Sequence, residues 1–158
     1  MDVLRVPQNE VHVRVRLLDQ RDLTGVMYVD PIGPTGGRGH LTDRLNLGSE
    51  DFLPLTVDGR TQLIHRGQIL VVEIDGDSAA ADESPVEESR LSRHLEIEVR
   101  LASGFEVRGR LSYLQPTDHE RLLDYLNVER RFLPLRVDDR RVYVNRDQIV
   151  GVRPLDGE

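Results

Sequence analysis

Two short stretches of the chain carry the same polar pair at the same spacing: Asp43 and Asn46 in "HLTDRLN", and Asp124 and Asn127 in "RLLDYLN". A carboxylate and an amide held this close could take a nucleobase, a metal ion or a peptide. The plainer account is that the Asp accepts backbone N–H bonds while the Asn ends a short helix in the left-handed region. His40 and His119 lie in the corresponding connections, each near an arginine, Arg38 and Arg121. Further on, Arg66 and Arg146 recur at matched positions. A guanidinium there could bind phosphate or carboxylate, or simply be solvated or salt-bridged on a strand.

These residues do not assemble into a catalytic set. The five His are scattered, no His-x-x-x-His pair occurs, and the chain has no Cys. Only carboxylates are left to complete a metal site, and disulfides, thiolate nucleophiles and Cys-based zinc sites are excluded. No Gly-x-Ser-x-Gly is present, and no Ser has an identifiable base. The run "GPTGGRGH" at 33–40 has the glycine content of a phosphate loop but lacks the Gly-Lys-Ser/Thr ending and does not lead from a strand into a long helix. The expectation is therefore no catalytic residue, no metal and no cofactor. The Gly/Pro-rich stretch 31–40 instead makes Arg38 and His40 candidates for a protein contact, because it is long and peculiar to one part of the chain.

Charge points the same way. The formal net charge is −7, from 28 acidic against 21 basic residues, and every basic residue is Arg. Such a balance opposes non-specific binding to nucleic acid or to an anionic membrane. No apolar run reaches membrane-spanning length, and "MDVLRVPQNE" lacks the layout of a signal peptide. A cytoplasmic protein without a membrane partner is expected.

The elements that position these residues are written twice. "VRVRLLDQRDLTGVMYV" (13–29) matches "IEVRLASGFEVRGRLSYL" (97–114), with Val15-Arg16-Leu17 over Val99-Arg100-Leu101 and Gly25 over Gly109. "LTDRLN" (41–46) matches "LLDYLN" (122–127). "FLPLTVDGRTQLIHRGQILVV" (52–72) then runs without a gap against "FLPLRVDDRRVYVNRDQIVGV" (132–152). Conserved order, spacing and polarity identify a tandem duplication. The boundaries are a first repeat at 10–75, an acidic, small-residue linker at 76–93 and a second repeat at 94–155.

Each repeat reads as strands. Val11, Val13, Val15 and Leu17 alternate with His12, Arg14 and Arg16, the period of a half-buried strand, and Ile97, Val99 and Leu101 repeat it. Turns follow at "LDQRD" and "ASGF", where Gly104 suits a position of positive φ. Gly25 and Gly109 fall at inward positions of the second strand, as a bulge or sharp bend requires. A short helix follows in each repeat, with Leu41 and Leu45 inward in the first. In the second, Thr117 and Glu120 form a capping box ahead of Leu122, Leu123 and Leu126 on one face. Pro54 and Pro134 place the Phe-Leu-Pro-Leu strands at an edge or a bulge. Phe52, Pro54, Phe132 and Pro134 are accordingly candidates for an exposed docking edge.

Five short strands, one short helix and an inward Gly in each repeat give the expected fold: mainly β, two tandem small SH3-like or Sm-like barrels related by internal duplication. Each repeat alone is near the lower size limit for a stable core, so packing of the two together is expected. "VRVRLLDQRDLTGVMYVD" is similar to the first Sm motif, and "QLIHRGQILVVEI" resembles the second. That resemblance implies RNA contacts, with Asn46 and Arg66 at a uridine base. The shared L-x-D-x-L-N…F-L-P-L pattern also resembles a small β domain of bacterial proteins that carries no assigned activity. The functional expectation is a non-catalytic protein–protein interaction or assembly module, with a protein partner and a possible homo-oligomer. The alternative is an Sm-like single-stranded RNA binder.

Overall fold

The computed structural model describes residues 9–30, 40–46, 50–76, 92–114, 122–127 and 131–155. The acidic stretch 77–91, the Gly/Pro-rich stretch 31–39 with Arg38, and the capping box at Thr117 and Glu120 lie outside them.

Alternating side chains build the first hairpin. In β1 (Asn9–Leu17), Val13, Val15 and Leu17 are buried while His12 and Arg14 are exposed. β1 pairs antiparallel with β2 (Asp22–Val29), from Arg16 opposite Asp22 to Asn9 opposite Val29. A six-residue helix α1 (Leu41–Asn46) then buries Leu41 and Leu45. β3 (Phe52–Val57) and β4 (Arg60–His65) follow as a hairpin turning on Asp58 and Gly59, with φ of 51° and 77°. Two residues of positive φ give the turn whose twist suits a two-residue hairpin. A 3-10 turn at Arg66–Gln68 leads into β5 (Ile69–Ile74), which returns to pair with β1.

The second half repeats this order. β6 (Ser92–Leu101) and β7 (Glu106–Leu114) form its first hairpin, α2 (Leu122–Leu126) its helix, and β8 (Phe132–Val137) with β9 (Arg140–Asn145) its second hairpin. A 3-10 turn at Arg146–Gln148 and β10 (Ile149–Pro154) complete it. β6 begins inside the stretch read as linker. The 3-10 turns match in detail: His65 Nδ1 accepts from Gly67 N–H at 3.0 Å, and Asn145 Oδ1 from Asp147 N–H at 3.1 Å.

All ten strands lie in one antiparallel sheet, ordered β10-β6-β7-β8-β9-β5-β1-β2-β3-β4. Each half contributes five strands in the same internal sequence, and the halves meet where β5 pairs with β9. The sheet does not close; it ends at β4 and β10. Two apolar clusters fill it. One centres on Val15, Met27, Leu41, Leu55 and Ile69, the other on Ile97, Val99, Leu111, Leu135 and Val142.

Several local expectations need correction. β3 and β8 are interior strands, not edges, because β4 and β9 cover their outer sides. The register joins β2 to β3 at Val26 and Thr56, and β7 to β8 at Arg110–Leu111 and Leu135–Arg136. Pro54 and Pro134 lie beyond those pairs, so a missing N–H breaks no ladder bond there. In α2 the buried residue is Tyr125, while Leu123 faces solvent. Neither Asn46 nor Asn127 takes positive φ. Asn127 instead donates to Leu123 O at 2.9 Å.

Gly25 and Gly109 are not at bulges, since the β1–β2 and β6–β7 registers run unbroken through Val13–Gly25 and Ile97–Gly109; they sit where β3 and β8 come close. A Cβ on Gly25 would lie 2.3 Å from Thr56 O, and one on Gly109 would lie 2.9 Å from Arg136 O. At the other end of the sheet, β10 is tied to β6 electrostatically as well as by its ladder. Glu98 on β6 receives Arg108 at 2.8 Å and Arg153 at 3.2 Å. Burial alone would raise its pKa, but the Arg108 hydrogen bond and the Arg153 charge outweigh burial and hold it below the usual glutamate value.

Candidate functional site

A set of polar contacts lies where the halves join. Val71 to Ile74 of β5 run opposite Val144 to Arg141 of β9, which carries the sheet across the duplication. Glu73 and Arg140 form an ion pair across the two strands. Behind them, Asn145 donates to Ile69 O at 2.8 Å and to Arg66 O at 3.4 Å, and Gln148 donates to Gly67 O at 2.8 Å. Thr42 of α1 donates to the Tyr143 hydroxyl at 3.2 Å. At the hairpin tips, Ser103 donates to Leu18 O at 3.1 Å, and the Arg16 guanidinium lies 4.5 Å from the centre of the Phe105 ring.

Apolar side chains also cross the boundary. Phe132 and Tyr143, from the second half, are buried in the first-half cluster. Leu70 and Val71, from the first half, are buried in the second-half cluster. Each half thus completes the other's core, which answers the small size of either alone.

The residues singled out by sequence divide between this joint and the free surface. Asp43 caps α1, accepting the His40 N–H at 3.1 Å. Asn46 faces the joint: its Oδ1 accepts Phe132 N–H at 2.7 Å and its Nδ2 donates to Phe132 O at 3.3 Å. Arg66 is buried and donates to Leu45 O at 3.2 Å. Burial pushes its guanidinium below the ordinary arginine pKa, and the neighbouring Arg131 charge adds to this. A uridine contact through Asn46 and Arg66 would require both side chains to abandon these bonds. Phe132 lies in an interface, but an internal one. Pro54 and Pro134 are half-buried opposite Leu63 and Tyr143, and His40 is half-buried at the start of α1.

Phe52 is different. It is exposed beside the free β4 edge, where its ring meets His65 edge-on at 5.0 Å between centroids. With Leu63 and Ile64 it lines a shallow cleft of about 250 Å³ that also takes in Leu17, Asp19 and Gln68. Nothing in the cleft provides a nucleophile paired with a base. Among the described residues no three His, Asp or Glu side chains gather into a metal-binding cluster, and no helix is long and apolar enough to cross a membrane.

Comparison with protein-family models, known proteins and solved structures gives no match for this chain. Its geometry alone carries the functional reading.

Sequence reasoning did not single out Leu63, Tyr143, Asn145 or Val150. Their signal was present in the duplication. Leu63 and Tyr143 occupy one position of the repeat, as do His65 and Asn145, and Leu70 and Val150. Reading across the copies shows a change of side-chain character at Leu63/Tyr143 and His65/Asn145, whereas Leu70 and Val150 stay aliphatic and differ only in their surroundings.

Proposed function

We propose that the chain is a non-catalytic assembly module built from two fused small SH3-like or Sm-like barrel units, acting in the cytoplasm by taking a protein segment onto an open sheet edge. The observation that carries this reading is β4, which among the described residues pairs on one side only, with its Leu63 and the neighbouring Phe52 of β3 presented to solvent beside a cleft of mixed polarity. Proteins usually blunt such edges with Pro, Lys or a covering loop. β4 has no Pro and no Lys, and its sequence "RTQLIH" has one charged residue at its start. Strand addition suits it: main-chain bonds supply affinity and alternate side chains supply pockets. The β5–β9 joint is an example of that binding mode within the same chain.

The test is site-specific photocrosslinking from position 63 in the cells that make the protein, with Asp138 in the β8–β9 turn as an exposed control. A protein adduct at 63 that is absent at 138 is the expected result. No adduct above the control, or an RNA adduct in its place, would refute the assembly reading.

A further inference from the structure

The two free ends of the sheet are the same surfaces that bind each other inside the chain, and we infer that chains join head to tail, β10 of one copy pairing with β4 of the next. This deepens the assembly reading and rests on it, naming a second copy of this chain as the segment that β4 takes.

The duplication supplies the argument. β4 occupies the position of β9 in the repeat, and β10 the position of β5. The β5–β9 register, carried across the repeat, sets Val152 opposite Leu63 of the next chain and Gly151 opposite its Ile64.

Exposure follows the same map. Phe132, Tyr143 and Leu70 are each 0% exposed at the internal joint. Their counterparts at the free ends are Phe52, Leu63 and Val150, at 53%, 69% and 71%. These are three of the five large exposed hydrophobics among the described residues, so most of them lie on or beside the two end strands.

The cleft beside β4 fits the same scheme. Asp19, Arg21, Phe52, Leu63, His65 and Gln68 line it. Their counterparts in the second half are Ser103, Phe105, Phe132, Tyr143, Asn145 and Gln148. Every one of those touches the first half across the joint. The cleft is the first-half counterpart of the face by which the second half makes the joint.

Two differences make the contact between chains weaker than the internal one. The positions of the diagonal Glu73–Arg140 pair carry Arg153 and Arg60, a like-charged pair, although Glu98 partly neutralises Arg153. Pro154 stands in the place of Ile74 and removes a donor from the end of the ladder. The assembly is therefore reversible on dilution. Because the contact joins unlike surfaces, it produces a closed ring or an open filament, not a self-complementary dimer.

Sedimentation velocity of the full chain over a wide concentration range, with Leu63→Lys and Val150→Lys, tests this. Both positions are exposed, so neither substitution disturbs the fold. The wild-type chain is expected to form concentration-dependent species larger than a monomer. Each variant alone is expected to stay monomeric. Their equimolar mixture is expected to stop at a dimer, because each supplies the end the other has lost. Arg60→Glu replaces the repulsive pair with an attractive one and is expected to lower the half-assembly concentration about fivefold. A wild-type chain that is monomeric throughout would overturn the inference while leaving a crosslinked partner of another kind at position 63 in place. Val150→Lys assembling as well as wild type would overturn it too, since that outcome indicates β4 pairing with β4.

Discussion

Phe132→Ala is expected to destabilise the chain by about 3–5 kcal/mol, and the same substitution at Phe52 by about 1 kcal/mol or less. The two residues open the same "FLPL" in the two copies, so local sequence and strand position are matched. What differs is the surroundings. Phe132 is fully buried in the first-half cluster, and its backbone is held by the Asn46 amide. Removing its ring leaves a cavity at the joint that neither half can collapse to fill. Phe52 meets only solvent and the edge of His65 on its exposed side, and an exposed ring pair contributes little. Urea unfolding of the two variants, in dilute protein so that association does not contribute, measures both losses. Similar losses at the two positions would mean that the joint is not a packed interface.

The second large effect is expected at Gly25. Alanine there would bring its Cβ to 2.3 Å from Thr56 O and 3.0 Å from Val57 Cγ2. A carbonyl oxygen cannot rotate aside as a side chain can, so β3 has to move off β2 where Val26 and Thr56 pair. The expected cost is at least the 1–3 kcal/mol usual for overpacking. Gly109→Ala is expected to cost less, because the corresponding approach to Arg136 O is 2.9 Å. Thermal or urea unfolding checks the order. Gly25→Ala as stable as wild type would show that β2 and β3 do not approach each other closely.

The same two glycines illustrate how much of the fold could be read from the sequence. An inward Gly at matched positions of both copies marks a special site, but the expected bulge is absent and the reason for the Gly is the close approach of the β3 and β8 backbones. Strand periodicity located β1 and β6, since one face of each is apolar and buried while the other carries polar side chains. The helices were legible too, and the inward face of α2 in part: Leu122 and Leu126 pack against the core as expected, but Tyr125 is buried there and Leu123 faces solvent. A one-turn helix is too short for periodicity to fix its face.

The joint was the hardest part to read. Asn46 carries the type and spacing of a helix-ending or base-binding residue, yet its amide is directed at a backbone more than eighty positions away. Local pattern has no access to such a contact. Pro54 misled for a related reason: it marks a gap in one ladder, and a gap inside a sheet looks the same in sequence as an edge. Comparing the copies with each other recovers part of what each alone conceals. Leu63 against Tyr143 and Glu73 against Arg153 are positions where identical folds meet different neighbours.

Hydrogen exchange of backbone amides in dilute protein tests the central claim, that one repeated unit binds its twin edge to edge and leaves the same edges open at both ends. At matched positions, the outward amides of 71–74 and 141–144 are predicted to exchange as slowly as those of β1. Their counterparts in 151–153 and 61–64 are predicted to exchange orders of magnitude faster. Equal, rapid exchange at β5–β9 and at the two free strands would contradict it, because the halves would then not be joined by strand pairing at all.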